Sequence, residues 1–279
     1  MGEVHNRMAN VKFTDVELMA QASLREHSAW LASHPRMCSN GRTLIMSVGD
    51  DLVQAAAVAF VRRFHRVIFF GACADVRVTA AALQAERKSV DTHLTWVSGL
   101  TPTILPLVTQ LCTQRPAIST LRVDYLNADA PKNVITGVQR LQRECGVVPL
   151  PEDFLRDTQR LITAYAFDPS GEIVATSCCM KLRLEASFPR TAAMGHNSCV
   201  RQEYRHAGLG RLLKAAAIRE GIERFSADYV AAVVETGNDP SLKMNAACGL
   251  VTDHAVSVAY AEARADSSSL LDDHATASS

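Results

Sequence analysis

Apolar positions in the second half of the chain switch period several times, and each switch marks an element. Val134, Ile135, Val138 and Leu141 recur at helical spacing behind Asp129-Ala130-Pro131, and Cys145-Gly146 ends the pattern. Pro151, Glu152 and Asp153 open a second, shorter helix, since a proline and two acids suit a helix start. Residues 161–167 and 172–180 then read as a hairpin around Asp168-Pro169-Ser170-Gly171, with proline second and glycine fourth as a type I turn prefers. An apolar stretch ends at Val200, and Leu209, Leu212, Leu213 and Ala216 share one face of the following helix. Residues 229–234 make a short buried-strand run, residues 241–248 a helix stopped by Gly249, and residues 252–260 alternate like a last strand. With a strand pattern at 118–126, the order is strand, helix, helix, three strands, helix, strand, helix, strand.

The first 117 residues carry less. Thr14-Asp15-Val16-Glu17 is a capping box that opens a helix to about Ala32. Apolar runs at 43–48, 67–70 and 94–97 alternate with helical patterns from Asp51, Ala74 and Pro102, which predicts a small α/β unit.

Between the strand end at Val200 and the helix at Leu209 stands Arg205-His206-Ala207-Gly208-Leu209-Gly210. Two glycines at a helix start leave backbone N–H groups uncovered where the helix dipole favours anions, so the hexapeptide reads as a phosphate cradle. It has neither the Gly-Lys-Ser/Thr of a Walker loop nor the three glycines of a dinucleotide fingerprint. With its flanks it resembles the Arg/Gln-x-x-Gly-x-Gly/Ala motif of the GCN5-related N-acetyltransferase (GNAT) superfamily. Asn238, Met244-Asn245 and Gly249-Leu250 resemble that family's next block, in the right order and at the right distance. The resemblance covers roughly residues 118–265. It implies an α/β (α+β) GNAT fold, whose mixed central sheet has splayed strands four and five, behind a smaller α/β N-terminal domain at 1–117. Tandem GNAT proteins carry a degenerate first copy, and the N-terminal segment is a candidate for one, because Val48-Gly49-Asp50-Asp51 lacks the second glycine. Its expected role is support, as part of the substrate pocket or the interface of a homodimer. Residues 266–279, rich in Ser, Asp and Ala, have too little apolar content to fold.

Composition narrows the partners. Lys plus Arg and Asp plus Glu both number 29, so no global field points to nucleic acid or an acidic membrane. No apolar run approaches membrane-spanning length and no leader pattern is present, which makes the cytosol the expected compartment. Eight cysteines include no C-x-x-C spacing, so neither a metal site nor a disulfide framework is expected, and they read as reduced, buried, small apolar residues.

The resemblance also assigns chemistry. Acetyl-CoA, the acyl donor, would lie between strands four and five. Ser198, Cys199 and Val200 would offer ladder groups to its pantetheine, residues 205–210 would offer amides to its pyrophosphate, and Arg201, Arg205, Arg211 and Lys214 would add charge. Asn238 would reach the pantetheine arm, its alternative being a helix cap. A base must take a proton from the attacking amine, and His196, near neutral in its ordinary titration, lies four residues before Val200. Period-two alternation would give it a face in common with Ser198 and Val200. The tyrosine that commonly protonates the departing thiolate is replaced by Asn245, leaving Tyr260 or water, with a strand-four amide near Asn197 or Ser198 holding the oxyanion. The expected reaction is N-acetylation of a small amine. A CoA-binding pseudo-enzyme and a transferase of longer acyl groups remain as alternatives. Loops at 127–131, 145–154 and 183–190 would shape the acceptor pocket.

Overall fold

In a computed structural model that describes residues 22–24, 26, 37–39, 43–49, 51–86, 88–114, 120–182 and 191–262, the apolar runs become two mixed sheets. The first half supplies β1 (Met37–Ser39), β2 (Leu44–Ser47), α1 (Asp51–Phe64), β3 (Arg66–Ala72), α2 (Cys73–Ala85), β4 (Ser89–Asp91), β5 (Leu94–Leu100) and α3 (Thr101–Thr113). The second supplies β6 (Arg122–Tyr125), α4 (Lys132–Glu144), α5 (Glu152–Leu155), β7 (Leu161–Phe167), β8 (Ile173–Leu182) and β9 (Ala192–Val200). A 3-10 turn (Gln202–Tyr204), α6 (Leu209–Phe225), β10 (Tyr229–Glu235), α7 (Asp239–Ala247), β11 (Val251–Thr252) and β12 (Val256–Glu262) complete it. The helix expected from Thr14 is described only at residues 22–24 and 26, which are helical, and the rest of it lies outside the described residues, as does the tail at 266–279.

Strand order is β1-β2-β3-β12-β4 in the five-stranded sheet and β11-β5-β10-β9-β8-β7-β6 in the seven-stranded one. The sheets therefore do not divide at residue 117, because each half of the chain lends the other a strand. β10 is buried along most of its length, and an edge position there would leave its backbone groups without partners. β5 meets that need from Tyr229↔Leu100 to Glu235↔Leu94. In return β12 fills the space between β3 and β4, pairing Val256↔Ala72 through Glu262↔Arg66. The series β2-α1-β3-α2-β4-β5 thus has the same order and the same ladder senses as β9-α6-β10-α7-β11-β12.

Packing follows strand alternation. One face of the seven-stranded sheet takes α6 and α3, with Leu213, Ala217, Ile218 and Ile222 against Ile162, Val174, Cys179 and Val230. The other takes α4 and α5, with Ile135, Val138, Leu141 and Phe154 against Tyr165, Cys178, Met180 and Met194. Cys178 and Cys179, adjacent on β8, point into the two different cores as strand periodicity requires. The α4 side also receives Ile45, Phe70 and Val258 from the five-stranded sheet, so the two sheets share one core. Trp96 joins them: its ring stacks on Phe70 at 4.7 Å, and its Nε1 donates to Tyr229 Oη at 3.1 Å. α1 and α2 cover the remaining face, with Phe64 and Leu83 against Phe69 and Ala259.

The reciprocal exchange makes each half an incomplete sheet alone. Residues 1–117 and 118–279 produced separately are expected to lack a cooperative urea transition, and co-produced they should purify together and regain it. A sharp independent transition in either half would contradict the exchange.

Candidate active site

β9 and β10 are parallel neighbours that pair only at Ala192, Ala193 and Met194 with Tyr229, Val230 and Ala231. Beyond Met194 no ladder joins them among the described residues: β9 stays with β8 as far as Val200, and β10 stays with β5. The result is a wedge with its vertex at Gly195 and its mouth at Val200. The β9 backbone edge facing the wedge can take an extended ligand as an added strand.

A β-bulge bends β9 inside the wedge. Cys178 pairs with His196 and Thr176 with Cys199, so Asn197 and Ser198 together oppose Ser177. Asn197 takes the left-handed conformation at φ 49°, and the Ser177 and Ser198 hydroxyls are 2.8 Å apart. The extra residue shifts the alternation and corrects one expectation. Cys178 and Cys199 lie in the α4-side core, whereas Ala193 and Val200 lie against the α6 side. His196, opposite Cys178, therefore has the α4 face, and Ser198 and Val200 have the α6 face. The wedge has a histidine on the side where loops 127–131 and 145–154 gather. Loop 183–190 lies outside the described residues.

At the mouth, the chain turns through Gln202–Tyr204 and enters α6 from Gly208. Four contacts hold the turn: Arg201 to Glu172 at 2.8 Å and to Glu144 at 3.4 Å, Tyr204 Oη to Asp168 Oδ2 at 3.3 Å, and Arg205 Nε to the Val200 carbonyl at 3.1 Å. Arg201, expected to add charge for phosphates, is instead a clamp between β9, β8 and α4. Gly208 is the helix N-cap with φ 78°, a conformation that costs other residues about 1–2 kcal/mol. Among the described residues no side chain caps α6, and Leu212 N–H makes the first bond back, to Gly208 O at 3.1 Å. The amides of Leu209, Gly210 and Arg211 lead that bond and point out of the helix end. Arg211 is exposed beside them, and Gly210 lies between Val200 and Met244. A helix start of this kind, at the mouth of a strand wedge, can serve as an anion cradle.

The other expected residues divide. Asn238 caps α7, its Oδ1 accepting from Ser241 N–H at 3.2 Å. Asn245 is 1% exposed, its Nδ2 donates to the Ser241 carbonyl at 2.8 Å, and its Oδ1 has no partner among the described residues. Tyr260 is not brought to the wedge. It belongs to β12 in the five-stranded sheet, where its hydroxyl lies between Arg66 and Glu262 and burial pushes its pKa up. Lys214, expected to add charge for phosphates, is 2% exposed under the sheet.

The cysteines are less uniform than expected. Cys178, Cys179, Cys199 and Cys248 are buried, but Cys73, Cys112 and Cys145 are only partly so. Cys145, which caps α4 behind the cradle, hydrogen-bonds with the Cys199 thiol and is pulled down to about 7. That hydrogen bond is the largest cause, burial opposes it, and the Arg205 charge adds to it. No spacing in the chain announces this pair, because Cys145 and Cys199 meet only through the fold. Lys214 did leave a signal: its helical neighbours Gly210, Ala217 and Gly221 are all small and mark the stripe facing the sheet.

Residues 132–250 match the model of the Acetyltransferase (GNAT) family, and the chain carries a GNAT acetyltransferase domain there. Among solved structures it is similar to a GCN5-related N-acetyltransferase from Kribbella flavida, with TM-score 0.55, 10% identity and coverage of 88% of this chain and 95% of that one. It is also similar to a tandem GNAT protein from the clavulanic acid biosynthesis pathway, with TM-score 0.53, 15% identity and coverage of 88% and 92%. A GCN5-related N-acetyltransferase-like protein from Streptococcus suis gives TM-score 0.51, 13% identity and coverage of 79% and 80%. No curated protein matches. No described helix is long and apolar enough to cross a membrane, and no metal-holding cluster of His, Cys, Asp or Glu occurs among the described residues.

The matching position in the first half has no wedge. β2 pairs with β3 along its whole length, from Leu44↔Val67 to Ser47↔Phe70, and Val48 N–H continues to Phe70 O at 2.9 Å. A Cβ on Gly71 would meet the Val48 carbonyl at 2.3 Å, so no ligand arm fits between those strands.

A thiol near 7 reacts through its thiolate as pH rises through that value. Iodoacetamide is expected to modify Cys145 with a half-maximal rate near neutral pH, and Arg205→Ala should move that midpoint upward. Mass-mapped labelling across pH reads both.

Proposed function

We propose that the chain is an acetyl-CoA-dependent N-acetyltransferase that acts on the amine of a small molecule by direct attack on the thioester. The observation that carries this reading is the join of two features in one line: a β9 edge left open from Gly195 to Val200, and an uncapped helix start at Gly208 directly beyond it. A pyrophosphate fits the second and a pantetheine arm the first.

Under this reading the two faces of the sheet divide the work. The donor enters from the α6 side, with Leu209, Gly210 and Arg211 amides on its phosphates. The acceptor comes from the α4 side, where His196 takes the amine proton as nitrogen adds to the carbonyl carbon. A bulge amide at Asn197 or Ser198 holds the oxyanion that forms. Asn238 and Asn245 contribute by fixing α7 along the wedge, since both spend hydrogen-bonding groups within that helix. The first half is a degenerate GNAT copy with its own wedge closed, supplying β5 to the donor sheet and Phe70 to the acceptor side.

A second reading, a CoA-binding module with little turnover, draws on Asn245: a buried amide bonded to Ser241 offers no proton to a leaving thiolate. Thiol release from acetyl-CoA across an amine panel separates the two. Turnover is expected, and His196→Ala should lower it by about 10²–10⁴. CoA binding without turnover would favour the second reading. Calorimetry with CoA tests the base of both: binding is expected, with Gly208→Val weakening it at least about tenfold, by roughly the strain of a left-handed non-glycine residue. Well-folded protein with no heat of CoA binding would rule both out.

A further inference from the structure

Lys214 carries an amine into the interior for no purpose described so far. It lies in the second turn of α6, 2% exposed, and its electrostatic neighbours are thiols: Cys178 and Cys179 of β8, and Cys248 after α7. No carboxylate is among them. Burial pushes Cys179 up to about 12 and Cys248 up to about 11, so both stay protonated and supply no counter-charge. The only other ionisable side chain in the first two turns of α6 is Arg211, which is exposed at the mouth. An ammonium with no counter-charge among the described residues costs stability in such a place that Met or Leu would not.

Its position is specific. A Cβ built on Gly195 would stand 2.9 Å from both Cε and Nζ of Lys214, so the amine rests against bare β9 backbone that only glycine leaves open. Gly195 is the first residue beyond the last β9–β10 pair, Met194↔Ala231. The amine is therefore at the vertex of the wedge, on the α6 face, across the sheet from the face of His196. A donor held by its phosphates at the mouth runs along β9 from Val200 toward Gly195, roughly 17 Å at ~3.3 Å per residue. A pantetheine arm, with two amides and their linking methylenes, reaches about as far as four or five extended residues. Its sulfur then ends beside Lys214.

We propose that Lys214 is the catalytic group that receives the departing thiolate, an inference that rests on the acyl-donor reading above. The acceptor nitrogen bonds to the carbonyl carbon, the C–S bond breaks with its electron pair passing to sulfur, and the Lys214 ammonium gives sulfur a proton, leaving a neutral amine. The acceptor's own proton goes to His196, so the products are the amide and CoA thiol, and both side chains return to their starting states by exchange with solvent. Burial lowers the Lys214 pKa from the ordinary lysine range, toward the pH at which a proton donor to a thiolate is effective. This assignment supplies the acid that Asn245 does not.

The test uses CoA itself and needs no acceptor. Thiolate absorbance of the protein–CoA complex is titrated against the complex with desulfo-CoA. The bound thiol is expected to ionise at least about one pH unit below free CoA, as an opposite charge within a few ångströms requires. Lys214→Met, with Lys214→Leu as a second variant, should remove that shift while calorimetric CoA affinity stays within about threefold. Both variants replace a buried amine by an apolar side chain and are expected to melt no lower than the parent. A bound thiol that ionises like free CoA in the parent, or a shift that survives in the variants, overturns the assignment while leaving the donor reading intact. Absence of CoA binding in the parent overturns the donor reading, and this inference with it.

Discussion

Two parallel strands that stop pairing before they end impose the constraint on which the rest of this molecule depends. A parallel ladder normally continues as long as both strands do, because each unpaired backbone group away from water costs about 1–3 kcal/mol. Here β9 and β10 separate after Met194 and Ala231, and each is held apart by a neighbour on its far side, β8 for one and β5 for the other. The bulge at Asn197 and the start of α6 at Gly208 belong to the same arrangement. The bulge turns β9 out of plane, and the helix start closes the mouth with amides rather than side chains. A gap between strands becomes a slot with chemically distinct ends.

The strand that holds β10 away comes from the other half of the chain, which ties the slot to the whole fold. β5 pairs along all of β10 and places Trp96 in the core shared by the sheets. The first half has the same topology as the second, but β2 and β3 stay paired where β9 and β10 part. Its contribution is mechanical: a strand on one side of the slot and apolar side chains in the core on the α4 side.

Much of this was legible in the chain. The order of elements from residue 118 onward, the hairpin at Asp168-Pro169-Ser170-Gly171 and the helix opening at Gly208-Leu209-Gly210 all rest on local signals, namely turn chemistry, caps and periodicity, and local signals survive folding. What the chain hides is relational. Residues 94–97 read as a strand, but nothing in them names β10 as the partner, because an apolar strand fits either sheet. Strict alternation puts His196 on the face of Ser198 and Val200, and it fails because a single bulged residue shifts the alternation without any mark in the sequence. Lys214 reads as a charge for phosphates because a lysine carries the same polarity whether its helix stripe meets a ligand or a sheet. Tyr260 was misplaced for the same reason as β5, its strand having crossed to the other sheet.

The crossing of β12 also bears on how the molecule comes into being. β3 cannot complete its ladder until residues 256–262 exist, since Arg66 pairs with Glu262 and Ala72 with Val256. During synthesis from the N-terminus, an apolar strand containing Val67, Phe69 and Phe70 must therefore wait, with one edge bare, until residues 73–255 and then β12 have emerged. Closure over so long a loop is slow and leaves a template for unwanted strand pairing in the meantime. The five-stranded sheet thus closes late, and its yield in a cell depends on what shields that edge between birth and closure.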